Sequence, residues 1–144
     1  MTSPTRFKTV GIAVLITTWL AFLTGCTAGK AKQAAEQGVT RFHAQLDAEQ
    51  YHDIYSQASP EFQKSGSEAE LTEFLSAVHR KLGNVQKAEE QTFFVNFGTA
   101  DTTVTLTYNT GFASGPASEQ FVWRVGEPPV LISYRVDSRL LITK

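Results

Sequence analysis

Apolar and polar residues are arranged differently in successive parts of this chain, and each arrangement predicts a different element. Residues 1–8 are polar with two basic side chains, and residues 10–23 are almost all apolar. From Ala31 the pattern becomes helical: Ala35, Val39, Phe42 and Leu46 fall at i, i+4, i+7 and i+11, one face of a 3.6-residue period. Asp47-Ala48-Glu49-Gln50 interrupts it, and a second short helix is expected over about 50–57, with Tyr51, Ile54 and Tyr55 on one side. Ser59-Pro60 should end that helix, because the residue before proline is pushed out of the α region. A third helix is predicted from Ser67, where Ser67-Glu68-Ala69-Glu70 forms a capping box. Leu71, Phe74, Leu75, Val78 and Leu82 give it an apolar stripe, Arg80 and Lys81 complement its dipole, and Gly83 suits a left-handed C-cap.

After Gly83 the period falls to two. Strands are expected at 92–97, 102–109, 119–125 and 130–136, rich in aromatic and β-branched residues and joined by short turns. Val104, Leu106 and Tyr108 share one face of the second strand and Thr103, Thr105 and Thr107 the other; Phe121, Trp123 and Val125 make a matching inner row on the third. Helices first and an antiparallel meander afterwards is a segregated α+β pattern.

Composition divides the chain in two. Residues 1–25 carry Arg6 and Lys8 and no acidic residue, whereas 26–144 carry 11 basic and 14 acidic residues, a net charge of −3. The single cysteine rules out an internal disulfide and multi-cysteine zinc sites. The basic start followed by a short apolar run has the form of a secretory signal peptide. A spanning helix needs about 20 apolar residues, and this run stops at Thr24-Gly25-Cys26. Leu23-Thr24-Gly25-Cys26 resembles the lipobox of bacterial lipoproteins. A signal anchor with an incidental cysteine is the competing reading; the short apolar run and the small residues before Cys26 favour the lipobox.

That resemblance implies a leader over 1–25, a diacylglyceryl group on the Cys26 thiol, and a lipidated N-terminus and short tether over 26–30 ahead of one domain over 31–144. Two or three acyl chains such as palmitate make attachment effectively stable where one does not. Thr27 stands where an aspartate would signal inner-membrane retention, so in a host with two membranes the periplasmic face of the outer membrane is the expected site.

The body carries a second resemblance. Tyr51, Tyr55, Ala58-Ser59-Pro60-Glu61-Phe62, the helix closing with Leu82-Gly83-Asn84-Val85, Tyr108-Asn109-Thr110-Gly111-Phe112-Ala113, Trp123 and Tyr134-Arg135-Val136-Asp137-Ser138 are similar to a small bacterial family of exported domains of unknown function. That family is similar to the cystatin-like or nuclear-transport-factor-2-like superfamily, which implies helices packed into a curved four-stranded antiparallel sheet to form a cone. Enzymatic members of that superfamily place an Asp/His or Asp/Tyr set in the mouth of the cone. The family itself implies no activity.

The chemistry-bearing residues assign no catalytic group. His79, Tyr51, Tyr55, Tyr108 and Trp123 are the candidate lining of a pocket in the cone, with Asp47 as the carboxylate an acid/base enzyme would need. His43 and His52 follow aromatic residues, and no two histidines have ligand spacing, so neither a metal nor a cofactor is expected. Phosphate loops, serine elbows and kinase signatures are missing from the sequence. The mature part is slightly acidic, against the basic stripe that nucleic acid requires. Arg124 and Arg135, on neighbouring strands, are read as solvent-facing residues. The expectation is therefore a membrane-anchored lipoprotein whose domain binds an envelope protein or a second copy of itself. A small-molecule enzyme of the isomerase or dehydratase type is the alternative.

Overall fold

Helix begins well before the periodic segment. The computed structural model describes residues 13–142, with side chains from Thr27 onward, and α1 spans Ala13–Asp47. Arg6 and Lys8 lie outside the described residues, as do the side chains of Leu23, Thr24, Gly25 and Cys26. Residues 27–30, expected as a tether, are helical backbone. Among the described residues, no helix is long and apolar enough to cross a membrane. The chain divides into two units, Met1–Lys30 and Ala31–Lys144, and the second contains the hydrophobic core.

Within that second unit, the expected stripe of α1 faces inward. Ala31, Ala35, Val39, Phe42 and Leu46 are all buried. α2 (Tyr51–Ser56) follows, with Tyr51 and Ile54 buried. α2 ends before Ser59-Pro60, as expected, but a further helix, α3 (Pro60–Lys64), starts at that proline. Proline suits a first helical position, where its missing N–H would have no partner in any case. Ser59 caps this turn, its Oγ accepting the Phe62 N–H at 3.1 Å.

α4 (Glu68–Leu82) has the capping box in both directions: Ser67 Oγ accepts from the Glu70 N–H, and Glu70 Oε2 accepts from the Ser67 N–H at 2.7 Å. Leu75, Val78 and Leu82 are buried and Leu71 partly so, but Phe74 is exposed, its ring 6.2 Å from that of Tyr134. The stripe is thus narrower than the apolar sequence suggested. Gly83 ends the helix at φ 77°, and a Cβ there would lie 2.9 Å from that of Ala113. This close approach lets Ala113 and Ser114 donate to the carbonyls of Asn84 and Leu82, tying a hairpin turn to the helix end.

The sheet is an antiparallel meander in the order β1-β2-β3-β4, built from Val85–Phe97, Thr102–Phe112, Gly115–Arg124 and Val130–Asp137. Two strands are much longer than expected. β1 gains its first seven residues, where Lys87, Ala88, Glu89 and Glu90 have little strand preference but pair with β2 across two register shifts. β3 gains 115–118 through a tight Ala113-Ser114 turn. Arg139–Ile142 forms a last short helix, α5, which the sequence pattern did not indicate. The β3–β4 connection contains a cis Glu127–Pro128 bond.

The inner rows are those the alternation predicted: Val104, Leu106 and Tyr108 on β2 and Phe121 and Trp123 on β3 are buried, while Val125 is only partly covered. Phe42 sits over their middle, 5.2 Å from the Phe121 ring and 4.5 Å from that of Tyr134. Helices on one face of a four-stranded antiparallel sheet make an α+β fold, in keeping with the expected cone-like arrangement.

Candidate functional site

The ionisable residues that the fold brings together are not those the sequence singled out. Glu119 projects from β3 with no exposed surface at all, between Ala117 and Phe121 on the inner face. A carboxyl group that far from water costs several kcal/mol unless its oxygens are used. Here both are. Oε2 lies 2.8 Å from His43 Nε2 and accepts the Thr110 hydroxyl at 2.5 Å, and Oε1 accepts the Tyr134 hydroxyl at 2.7 Å. Each partner comes from a different element: α1, β2 and β4.

The cluster is assembled by the same periodicities that build the core. His43 adjoins the inward Phe42 on α1, Thr110 continues the inner row of β2 by one step from Tyr108, and Tyr134 pairs directly with Phe121. Phe121 closes one side, with its ring 5.7 Å from that of His43 and 5.0 Å from that of Tyr134. Burial first, and then the Glu119 charge beside it, push the Tyr134 hydroxyl well above its ordinary pKa. An acid, an imidazole and a phenol are the groups of acid/base chemistry. In this arrangement all three face one another, and the hydrogen bonds fasten α1 to three strands.

The sequence missed Glu119 and Thr110, although a signal was there. Both have the parity of the inner row, so counting the alternation two residues beyond Phe121 and Tyr108 places a carboxyl group and a hydroxyl inside the sheet.

The five residues expected to line a pocket are spread out. Trp123 is 2% exposed and stacks on Phe121 with ring centroids 6.3 Å apart. Its other face lies on α1 at Gly38, where a Cβ would stand 2.9 Å from the indole ring. That explains a glycine in the middle of a helix, where it otherwise costs about 1 kcal/mol relative to alanine. Tyr108 is buried beneath Lys32 and Glu90, and burial raises its hydroxyl to about 12. Tyr51 is buried at the start of α2, its hydroxyl raised by burial and by nearby Glu49. Tyr55 donates to the Gln63 carbonyl at 3.3 Å, linking α2 to α3. His79 sits at the rim of α4, 3.3 Å from Asn84 Oδ1 and 3.9 Å from Glu49 Oε1.

Asp47, the carboxylate considered for catalysis, accepts the Val85 N–H at 3.0 Å and so joins the end of α1 to β1. His52 pairs with Glu68 on the surface at 2.6 Å, which raises its pKa. Arg124 bridges two carboxylates, Glu61 at 2.9 Å and Asp101 at 3.0 Å. Between Trp123, Phe42, Ile54 and Leu131 a space of about 10 Å³ remains, roughly the room one water molecule needs.

A second feature lies at the sheet edge. Phe93, Phe94 and Phe97 on β1 are 50%, 67% and 59% exposed, three of the five large apolar side chains exposed among the described residues. No group of three His, Cys, Asp or Glu side chains among the described residues is arranged to hold a metal. No family model matches the chain, and no curated protein matches it either.

Proposed function

We propose that this chain is a bacterial lipoprotein, tethered to a membrane through Cys26, whose α+β domain works as a binding or interaction module of the cell envelope. The targeting part rests on Arg6, Lys8, the short apolar run and Leu23-Thr24-Gly25-Cys26. Thr27 in place of aspartate supports the periplasmic face of the outer membrane where the host has two. The likeness of the body to exported domains of cystatin-like or nuclear-transport-factor-2-like fold is part of the same reading.

The observation that carries the interaction role is the filled interior. The place where a cone-shaped enzyme would hold a substrate is occupied by Phe42, Phe121, Trp123 and Tyr134, and the buried acid has both oxygens engaged. A catalytic acid or base has to touch the proton it moves. The same packing counts against the acid/base alternative, which needs Asp47, His79 and the tyrosines to converge.

Two measurements test the proposal. Intact-mass analysis of the protein from its host membrane should give a chain beginning at Cys26 and carrying acyl chains. The Cys26→Ala variant should leave the detergent phase; a variant that still partitions with membrane overturns the anchor. Proximity crosslinking of the lipidated protein should then recover an envelope protein or a second copy of the chain.

A further inference from the structure

We propose that the turn end of the β1–β2 hairpin is a lipid-docking surface, with Phe93, Phe94 and Phe97 seated in the headgroup region of the bilayer that holds the Cys26 anchor. This rests on the lipoprotein reading above and adds to it a second, non-covalent contact.

From Gln91 to Ala100 the chain has no charged residue, and Asp101 at the end of the turn is paired with Arg124. The rest of β1 is different: Lys87, Glu89 and Glu90 lie in its first half. Apolar aromatic residues beside an uncharged tip suit an interface in which side chains enter by about 5–10 Å.

The rings also lie on both faces of the sheet. Phe93 pairs with the buried Leu106, and Phe97 has the same parity, so both belong to the helix-covered face. Phe94 pairs with Thr105 on the opposite face. A partner protein or a second copy packing on either face would cover only part of this set. A hairpin end dipping into a headgroup layer covers both faces together. An uncovered uncharged edge strand of this kind is otherwise an aggregation hazard.

The chain between this surface and the anchor is short. Lys32 Nζ stands 5.1 Å over the Phe93 ring, and Lys32 is six residues from Cys26. Six residues span at most about 20 Å when fully extended. A lipidated Cys26 therefore keeps the phenylalanines within reach of the membrane surface, and the covalent link makes docking effectively intramolecular.

The test uses the full lipidated chain in vesicles of phosphatidylethanolamine and phosphatidylglycerol with brominated acyl chains. A mature chain beginning at Cys26 has Trp123 alone, buried, so an added tryptophan reports its own surroundings. Phe94 and Ser133 lie on one cross-strand row of the outer face through Thr105 and Val122, at opposite edges of the sheet. Phe94→Trp should be quenched about twofold, as expected for a ring at interfacial depth, while Ser133→Trp should stay near the parent. Absence of quenching at Phe94→Trp in protein that floats with the vesicles overturns the docking surface and leaves the anchor standing. Equal quenching at both sites also overturns it, in favour of a sheet lying flat on the bilayer. A blue shift at Phe94→Trp that follows protein concentration rather than lipid assigns the edge to a second copy. Failure to float overturns the anchor and the docking together.

Discussion

The inward face of β2, β3 and β4 and the free edge of β1 are made of the same kinds of residue and are treated in opposite ways. In the interior, Phe121, Trp123 and Tyr134 are packed ring to ring, and the one acid among them spends both oxygens on three partners. At the edge, three phenylalanines stand half or more exposed in a stretch, Gln91 to Ala100, that has no charged residue of its own. Burial of aromatic surface is the largest favourable term available to a small domain, so aromatics left outside point to a surface that is covered by something else. A closed interior beside an open edge is what the proposed interaction role requires.

The buried half should be the more sensitive to substitution. Glu119→Ala should destabilise the protein by about 3–5 kcal/mol, because it strands His43, Thr110 and Tyr134 without their acceptor. Denaturant unfolding would measure it, and a loss below about 1 kcal/mol would mean the cluster is not structural. Gly38→Ala should cost about 1–3 kcal/mol through overpacking against Trp123, although alanine is the better helix former. A Tm that rises in this variant would show that α1 does not rest on the indole. Ser67→Ala should cost about 1 kcal/mol by removing the α4 cap.

The edge should behave otherwise. Phe94→Ser should change unfolding free energy by no more than about 0.5 kcal/mol, as at other exposed positions, while weakening the vesicle contact. A large stability loss there would place Phe94 in the fold rather than at an interface. The smallest effect concerns Arg124, which joins α3 to the hairpin turn. Its guanidinium holds the Glu61 carboxyl down at about 2, from an ordinary value of 4.5. A lowered folded-state pKa stabilises above the ordinary value and ceases to do so as pH falls through the lowered one. The Tm difference between the parent and Glu61→Gln should therefore be small and constant above about pH 5, and shrink towards zero between there and about pH 2.

Much of the fold was legible because local signals agreed with the tertiary arrangement. The α1 stripe, the Ser67–Glu70 capping box, the Gly83 stop and the parity of β2 and β3 each rest on a short-range rule, and the chain obeys them. What escaped depends on contacts between distant residues. The first half of β1 is Lys, Ala and Glu held in strand by pairing with β2. α3 was hidden because Pro60 reads equally as a stop and as a first helical residue. Glu119 has the inner-row parity, but the partner that makes its burial tolerable, His43, lies 76 positions away across the core. The candidate pocket failed to assemble for the same reason: periodicity places Tyr51, Tyr108 and Trp123 inward but does not say what fills the space between them. Gly38 is a local trace of that packing, since a glycine inside a helical pattern needs a reason and here the Trp123 ring lies against it.

Hydrogen exchange on the lipidated protein in vesicles, against the Cys26→Ala variant free in solution, puts both regions into one measurement. Amides of the β1–β2 hairpin end, 92–101, should exchange several-fold more slowly in the vesicle-bound protein, while those of Gly115–Arg124 should keep the same slow rate in both. Equal rates at 92–101 in the two states, or membrane-dependent protection centred on β3, would contradict a closed interior with its working surface at the β1 edge.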